Sequence, residues 1–198
     1  MRARSRSASA WWTVVALASV LRGPAAAATP AASHVVDLGG RAVDPLPPRG
    51  AGPTVLVFTR TDCPLSNRYA PTLRRLHDRF APRGASFWLV YPDGTEPVDA
   101  IRRHGRDFGF GFPALRDPDH ALVALTGATV TPEAAVFVPD ADGPRMVYRG
   151  RIDDRAVEIG RTRPRATTRD LEQVLEALAA GGTVAPRTTP AVGCFISP

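Results

Sequence analysis

Two runs of consecutive apolar residues enclose a segment with helical periodicity in the first half of the chain. The runs TVLVF (54–58) and ASFWLVYP (85–92) are typical of strands buried on both faces. Between them, apolar residues recur at steps of four, four, three and four, which predicts an amphipathic helix over 65–81. Because strand–helix–strand units close through right-handed crossovers, we expect the two strands to be parallel.

Further elements extend this unit in both directions. We predict a hairpin over 34–46, a helix over 96–110, a short strand and short helix over 112–128, a hairpin over 133–152, and a last helix over 168–181. Crossover units require parallel strands, whereas the hairpin over 133–152 must be antiparallel. The predicted fold class is therefore α/β, with a mixed central β-sheet of four or five strands, helices on both faces and an N-terminal β-hairpin.

The N-terminal residues 1–28 have the three-part form of a secretory signal peptide. Arginines precede the apolar run WWTVVALASVL (11–21), which is short for a bilayer span, and small residues follow at 26–28. We expect cleavage near Ala28–Thr29 and a periplasmic or secreted protein, with an uncleaved anchor as the alternative. The membrane would then be a partner only through the signal peptide during export. An oxidising compartment would also allow the cysteines to pair.

The basic residues do not indicate a nucleic-acid partner. The formal net charge is +6, and all 25 basic residues are arginine. Removing the four arginines of residues 1–28 leaves 21 arginines against 19 acidic residues, a formal charge of +2. Affinity for nucleic acid depends on an excess of positive charge. We therefore expect no nucleic-acid partner.

Cys63 is one of only two cysteines in the chain. It follows the first buried strand and opens the helix expected over 65–81. A helix N-terminus offers unpaired N–H groups and the positive end of the helix dipole, which favour a thiolate over a thiol. Pro64 suits the first helical turn, where no donor is needed. The position indicates a reactive thiol, and a buried core cysteine is the alternative.

The element order and four motifs together resemble the thioredoxin-like superfamily. The motifs are TDCPLSNRYAP, GATVTPEAAVF, YRGRIDD and the late VGCF. Within the superfamily the chain is similar to the secreted, peroxiredoxin-like redoxins, which are related to the alkyl hydroperoxide reductase and TlpA-type branches. The similarity covers roughly residues 34–182, which would form one thioredoxin-like domain. Residues 183–198 have no periodicity and are expected to form an irregular tail.

This resemblance implies a site as well as a fold. Cys63 falls where these folds place the attacking thiolate, and Pro132, preceded by Thr131, falls where they place a cis-proline that shapes the substrate groove. The implied function is a peroxiredoxin-like thiol–disulfide oxidoreductase that acts on a protein disulfide or thiol partner or on a peroxide. The implied reaction uses the two thiols and requires no cofactor and no metal.

The chain departs from the family pattern around the thiol. Ser66 stands where thioredoxins have the second cysteine of CxxC, so a local disulfide cannot form. Its hydroxyl could donate to the thiolate or cap the helix. Arg60 stands where typical peroxiredoxins have a threonine. Asp62 would raise the pKa of Cys63, whereas Arg60 or Arg68 would lower it. The expected thiolate environment consists of Pro64, Ser66, Arg60 and Arg68.

Cys194 lies in the tail and has two possible roles. As a resolving thiol it would attack oxidised Cys63 and form a disulfide, a role that an external thiol could also fill. As a structural residue it would form a static bridge that closes a loop of 131 residues and stabilises the fold by about 4–5 kcal/mol. Both readings remain open at the level of sequence.

A second function hypothesis is a non-catalytic binding module of the same fold. In that case the Cys63–Cys194 disulfide is structural, or the fold contacts a metal. The four histidines, however, show none of the short spacings that metal sites use. A low pKa for Cys63 together with a reducible disulfide would favour the oxidoreductase.

Overall fold

The computed structural model describes residues 35–197. The expected signal peptide and its cleavage site lie outside this range. Within 35–197, none of the helices has the length and apolar character that crossing a membrane requires.

Eleven strands and four α-helices follow one another in the described chain. In order they are β1 (Val36–Asp37), β2 (Thr54–Phe58), α1 (Pro64–Phe80), β3 (Ser86–Tyr91), α2 (Val98–Asp107), β4 (Ala114–Arg116), α3 (Ala121–Thr126), β5 (Val130–Thr131), β6 (Glu133–Val138), β7 (Arg145–Gly150), β8 (Ala156–Glu158), β9 (Arg161–Thr162), α4 (Asp170–Ala179), β10 (Arg187–Thr188) and β11 (Cys194–Phe195).

The central sheet is mixed, as predicted. Its strand order is β1-β4-β3-β2-β6-β7-β10. Strand β3 runs parallel to both β2 and β4, whereas β6 runs antiparallel to β2 and β7. The two fully apolar runs of the sequence thus become neighbouring parallel strands, and β2 is buried along its whole length. This arrangement confirms the α/β fold class.

The sheet has more strands than the predicted four or five. The additional strands, β1 and β10, are two residues long and lie at the two edges of the sheet. Strand β1 lies within the hairpin predicted over 34–46, whereas β10 is too short to carry a readable periodicity and could not be predicted from the sequence. The expected N-terminal hairpin is correspondingly small: it consists of one bridge between Val36 and Ala42, while Val36 also pairs with Arg116 of β4.

Helices cover both faces of the sheet, unequally. Helices α1, α2 and α4 pack on one face, and their buried side chains are Tyr69, Leu73, Leu76, Phe80, Ile101, Leu171, Val174 and Leu175. The other face is covered by the short α3, through Leu122, and by the N-terminal segment, through Val35. The apolar positions predicted for the first helix are all buried, which confirms its amphipathic face.

The tail after α4 is not wholly irregular. Strand β10 adds to the edge of the central sheet beside β7, and β11 pairs with β5 to form a separate two-stranded sheet. Gly150 permits the first of these contacts, because a Cβ there would collide with Thr189. The tail therefore crosses from the edge of the sheet to the residues that precede Pro132.

Candidate active site

Cys63 is the last residue of the loop that joins β2 to α1. It is the N-cap residue of α1, and its carbonyl oxygen accepts the first helical hydrogen bond from the backbone N–H of Asn67 (3.1 Å). Pro64 occupies the first turn, as expected. The side chain of Cys63 is 1% exposed, which places its sulfur beneath the protein surface. Burial alone would make this thiol inert, so its polar neighbours decide its chemistry.

The loop before β6 supplies the first of these neighbours. The peptide bond between Thr131 and Pro132 is cis, as the family resemblance implied. The sulfur of Cys63 lies 3.1 Å from the carbonyl oxygen of Thr131, to which the thiol can donate. Residues far apart in sequence thus meet at the sulfur.

The tail supplies the second neighbour. The Sγ atoms of Cys63 and Cys194 lie 2.6 Å apart, and both residues are free thiols. Cys194 is held there because β11 pairs antiparallel with β5, with Cys194 opposite Thr131. A disulfide between the two cysteines therefore needs little rearrangement of the backbone.

The pKa of Cys63 is lowered from its ordinary value. Burial is the largest single influence and raises it, because it disfavours the charged thiolate. Hydrogen bonds from the thiol of Cys194, from the side chain and backbone N–H of Ser66, and from the side chain of Thr131 act in the opposite direction and together outweigh burial. The Ser66 hydroxyl is buried and has no hydrogen-bond partner among residues 35–197, so it is free to donate to a thiolate.

The pKa of Cys194 is shifted in the opposite direction. Its pKa is raised to about 11, first by burial and then by its hydrogen bond to Cys63 and the charge of that residue. The two sulfurs therefore differ in acidity: Cys63 loses its proton more readily, and Cys194 keeps its proton at neutral pH. This asymmetry makes Cys63 the more acidic thiol of the pair.

The arginines expected near the thiolate are placed differently. Arg60 forms ion pairs with Asp62 (3.2 Å) and Asp93 (3.5 Å), and its charge acts on the pKa of Cys194, which it lowers. Arg68 is exposed on α1 and lines a cavity with Tyr69 and Arg155. Hydrogen bonds, rather than these charges, are what lower the pKa of Cys63.

Sequence reasoning missed a buried polar network beneath the loop before Cys63. His104 lies on the buried face of α2, where its two ring nitrogens contact the hydroxyl of Tyr91 and the side-chain oxygen of Asn67, each at 2.7 Å. Asn67 in turn donates to the carbonyl oxygen of Thr61 (3.2 Å). Burial lowers the pKa of His104, so the ring is neutral. The sequence signal for this network was that His104 stands three residues after Ile101, a spacing that places both side chains on the same face of a helix.

Glu96 anchors the same loop from the other side. Its carboxylate accepts hydrogen bonds from the backbone N–H (2.9 Å) and hydroxyl (3.2 Å) of Thr61. Burial raises the pKa of this carboxyl, which is only 7% exposed. Thr61 is thus fixed by Glu96 and Asn67 together, and this holds the approach to Cys63 in one conformation.

The arrangement suits thiol chemistry. Across residues 35–197, no group of three or more histidine, cysteine or acidic side chains is placed to hold a metal ion. The site instead combines a thiolate-favouring cysteine, a second thiol in contact with it, and backbone groups of β5 alongside both.

Comparisons with known proteins agree with this description. An uncharacterized conserved protein from Geobacillus kaustophilus is 26% identical, with a TM-score of 0.59 over 74% of this chain and 77% of that chain. A hypothetical protein from Sinorhizobium meliloti 1021 is 22% identical, with a TM-score of 0.61 over 74% and 79%. An uncharacterized thioredoxin-like protein from Porphyromonas gingivalis is 16% identical, with a TM-score of 0.53 over 77% and 93%.

These solved structures share the thioredoxin-like fold with this chain. The comparison with curated proteins finds no match. The sequence model of the AhpC/TSA family matches residues 42–144, just over half of the chain, a range that includes Cys63, Thr131 and Pro132. The chain belongs to the AhpC/TSA family.

Proposed function

We propose that the protein is a thiol–disulfide oxidoreductase in which Cys63 is the nucleophile and Cys194 resolves the intermediate. The observation that carries the proposal is the contact between two thiols of opposite pKa shift, 2.6 Å apart. A purely structural disulfide does not require its two cysteines to differ in pKa. Membership of the AhpC/TSA family supports the same reading.

The reaction proceeds in two exchanges. The Cys63 thiolate attacks one sulfur of a substrate disulfide, forming a mixed disulfide and releasing the other sulfur as a thiolate. Cys194 then loses its proton to that leaving thiolate or to water and attacks Cys63 Sγ. This forms the Cys63–Cys194 disulfide and releases the second substrate thiol. Two electrons pass from the protein to the substrate, and an external dithiol restores the reduced protein.

A disulfide substrate fits this site better than a peroxide. The guanidinium of Arg60 is engaged in ion pairs with Asp62 and Asp93. The backbone of Thr131, by contrast, lies directly beside the sulfur and can pair with a polypeptide. Thr131 and Pro132 would thus border the groove for a protein partner. We place this activity in the periplasm or outside the cell, where the expected signal peptide would deliver the protein.

The proposal is tested by following both thiols during reaction with a small symmetrical disulfide. Reduced protein is mixed with the disulfide, quenched with acid and analysed by peptide mass spectrometry. We expect loss of two thiols and formation of a Cys63–Cys194 disulfide. The Cys194→Ser variant should stop at a mixed disulfide on Cys63, and the Cys63→Ser variant should react far more slowly.

The reducibility of the product separates this proposal from a binding module. An external dithiol such as dithiothreitol should reduce the Cys63–Cys194 disulfide in the native protein. Resistance to reduction until the protein unfolds would identify a structural bridge and contradict the proposal. Equal reactivity of Cys194 in the Cys63→Ser variant would also contradict it, because the roles of the two thiols would then not differ.

A further inference from the structure

A small cavity lies between the beginning of α1 and the hairpin formed by β8 and β9. Helix α1 lines it with Leu65, Arg68 and Tyr69. Arg155, directly before β8, and Arg163, directly after β9, line it from the hairpin. The cavity has a volume of about 100 Å³. Sites for cofactors and drug-sized ligands have about 300–1,000 Å³, so this cavity suits a group of only a few atoms.

The arginines give the cavity an excess of positive charge. Asp153 forms an ion pair with Arg155 (2.9 Å). Asp154 forms one with Arg163 (3.0 Å). Within the described residues 35–197, the side chain of Arg68 forms neither an ion pair nor a hydrogen bond. Its charge therefore remains uncompensated, and the three arginines outweigh the two aspartates that pair with them.

Arg155 is held in place from several sides. Its Nε donates to the carboxylate of Asp153 (2.9 Å) and its Nη2 to the hydroxyl of Thr72 (2.9 Å). Its guanidinium carbon lies 4.7 Å from the ring centroid of Tyr69, whose hydroxyl also donates to Asp153 (2.6 Å). Nη1 of Arg155 makes no hydrogen bond to any of the described residues. The guanidinium is thus already ordered, and a ligand of Nη1 does not have to order it first.

Arg163 is fixed through a carboxylate that is itself fixed. Its Nη1 donates to Asp154 (3.0 Å), which also accepts hydrogen bonds from the backbone N–H groups of Thr167 (2.7 Å) and Thr168 (2.9 Å). The hydroxyl of Thr167 and these N–H groups lower the pKa of Asp154 to about 2. Both aspartates are buried, Asp153 included. Their oxygens are engaged below the surface, while Nε and Nη2 of Arg163 have no hydrogen-bond partner in 35–197.

We propose that this cavity binds a small tetrahedral oxyanion of the phosphate type. A guanidinium group offers a planar fork of N–H donors that matches the spacing of phosphate oxygens. Three such groups come from three separate segments of the chain, so they can engage several oxygens of one anion, whereas a carboxylate has only two. The hydroxyl-bearing Thr162 also lines the cavity. The proposal is independent of the thiol exchange at Cys63.

A bound anion would connect the β8–β9 hairpin to α1, because the arginines belong to both. An anion that binds only the folded protein stabilises it in proportion to the logarithm of its concentration once the site is saturated. Phosphate should therefore raise the urea concentration at the unfolding midpoint, and sodium chloride at matched ionic strength should not. An equal effect of the two salts would contradict a specific site.

Isothermal titration calorimetry of the full-length protein with sodium phosphate tests the proposal directly. We expect saturable binding to a single class of sites. Acetate, a carboxylate, should not displace the phosphate. Absence of saturable binding overturns the proposal, and displacement by acetate at equal concentration overturns the assignment to a tetrahedral oxyanion.

Arg68→Gln tests the site with a residue that no described contact requires for folding. Loss of a hydrogen bond to a charged group should weaken phosphate binding about tenfold or more. Arg103→Gln is the matched control, because Arg103 is exposed on α2, outside the cavity, and the substitution removes the same charge. Equal weakening by both substitutions, or by neither, overturns the proposal. The comparison of phosphate with acetate needs no variant and decides the question even where Arg68→Gln folds poorly.

A phosphomonoester separates two sources of the ligand. Glycerol phosphate that binds as tightly as inorganic phosphate would identify the phosphoryl group of a larger molecule as the ligand. Glycerol phosphate that binds at least about tenfold more weakly would identify the free ion. Neither anion reacts with a thiol, so failure of both to bind overturns the oxyanion site and leaves the oxidoreductase proposal standing.

Discussion

At the scale of single residues, the decisive contrast is between two thiols that share one contact. Burial raises the pKa of each sulfur, but only Cys63 receives enough hydrogen bonds to reverse that effect. Ser66 matters here because it stands in the position of a second CxxC cysteine. Where a thioredoxin would hold a second cysteine, this chain holds a hydroxyl donor, and the second thiol comes from the tail.

Ser66→Ala is expected to raise the pKa of Cys63, because the substitution removes a hydroxyl that stabilises the thiolate. Stability should change by less than about 1 kcal/mol, since this hydroxyl makes no other hydrogen bond. The pH dependence of thiolate absorbance and urea unfolding measure the two effects. Ser86→Ala, at an exposed position in β3, is the control. An unchanged pKa would remove Ser66 from the thiolate environment.

The individual residues of the site could be read from the sequence better than their connections. Cys63 and Pro132 could be placed because each stands at a junction between recognisable elements. The pairing of Cys194 with Thr131 could not be read, because two-residue strands have no periodicity and their partners are distant in sequence. Asn67 and His104 were missed for a related reason: their role depends on contacts between separate helices.

At the scale of elements, α4 is fastened to α1 by a buried carboxylate. Glu172 accepts two hydrogen bonds from Arg75, at 2.6 and 2.9 Å, and one from Arg79 at 2.6 Å. These contacts lower the pKa of Glu172, with Arg75 the largest influence. Because Cys63 is the N-cap residue of α1, the ion pairs also help to hold the helix that follows the nucleophile.

Glu172→Gln is expected to destabilise the protein by about 1–3 kcal/mol at pH 7, the range for hydrogen bonds to charged groups. A carboxyl whose pKa is lowered by folding contributes stability above its unfolded pKa, and that contribution is lost as the pH falls through the folded pKa. The difference between variant and wild type should therefore shrink below about pH 4. Urea unfolding at several pH values checks this.

Glu176→Gln is the matched control, because Glu176 is a half-exposed partner of Arg79 on the same helix. It should cost well under 1 kcal/mol, as is usual for surface ion pairs at about 0–1 kcal/mol. Equal losses of stability from the two substitutions would contradict this expectation, because burial would then not increase the contribution of Glu172 to the free energy of unfolding.

At the scale of the whole molecule, the disulfide would join the start of α1 to the last residues of the chain. The sequence separation of 131 residues makes this a long loop, and the chain-entropy model predicts that oxidation stabilises the fold by about 4–5 kcal/mol.

The α/β alternation could be predicted because its strands and helices are long and periodic. The edge strands and the course of the tail depend on distant pairing.

Oxidised wild type should accordingly unfold at higher urea concentration than the reduced form, and Cys194→Ser should behave like the reduced protein under both conditions. Urea unfolding with and without a dithiol measures the difference. A gain far above this range would indicate a bridge too stable for turnover, since a disulfide that strongly stabilises the fold is correspondingly hard to reduce.

The central claim is that the two thiols differ in acidity, with Cys63 the stronger acid. Thiolate absorbance of the reduced protein, titrated with pH, tests this without requiring a reagent to reach the buried sulfur. We predict two separate transitions: one below the free-thiol value of about 8.5, absent from Cys63→Ser, and one near 11, absent from Cys194→Ser. Two coincident transitions at or above about 8.5 would contradict the account, because neither thiol would then be activated.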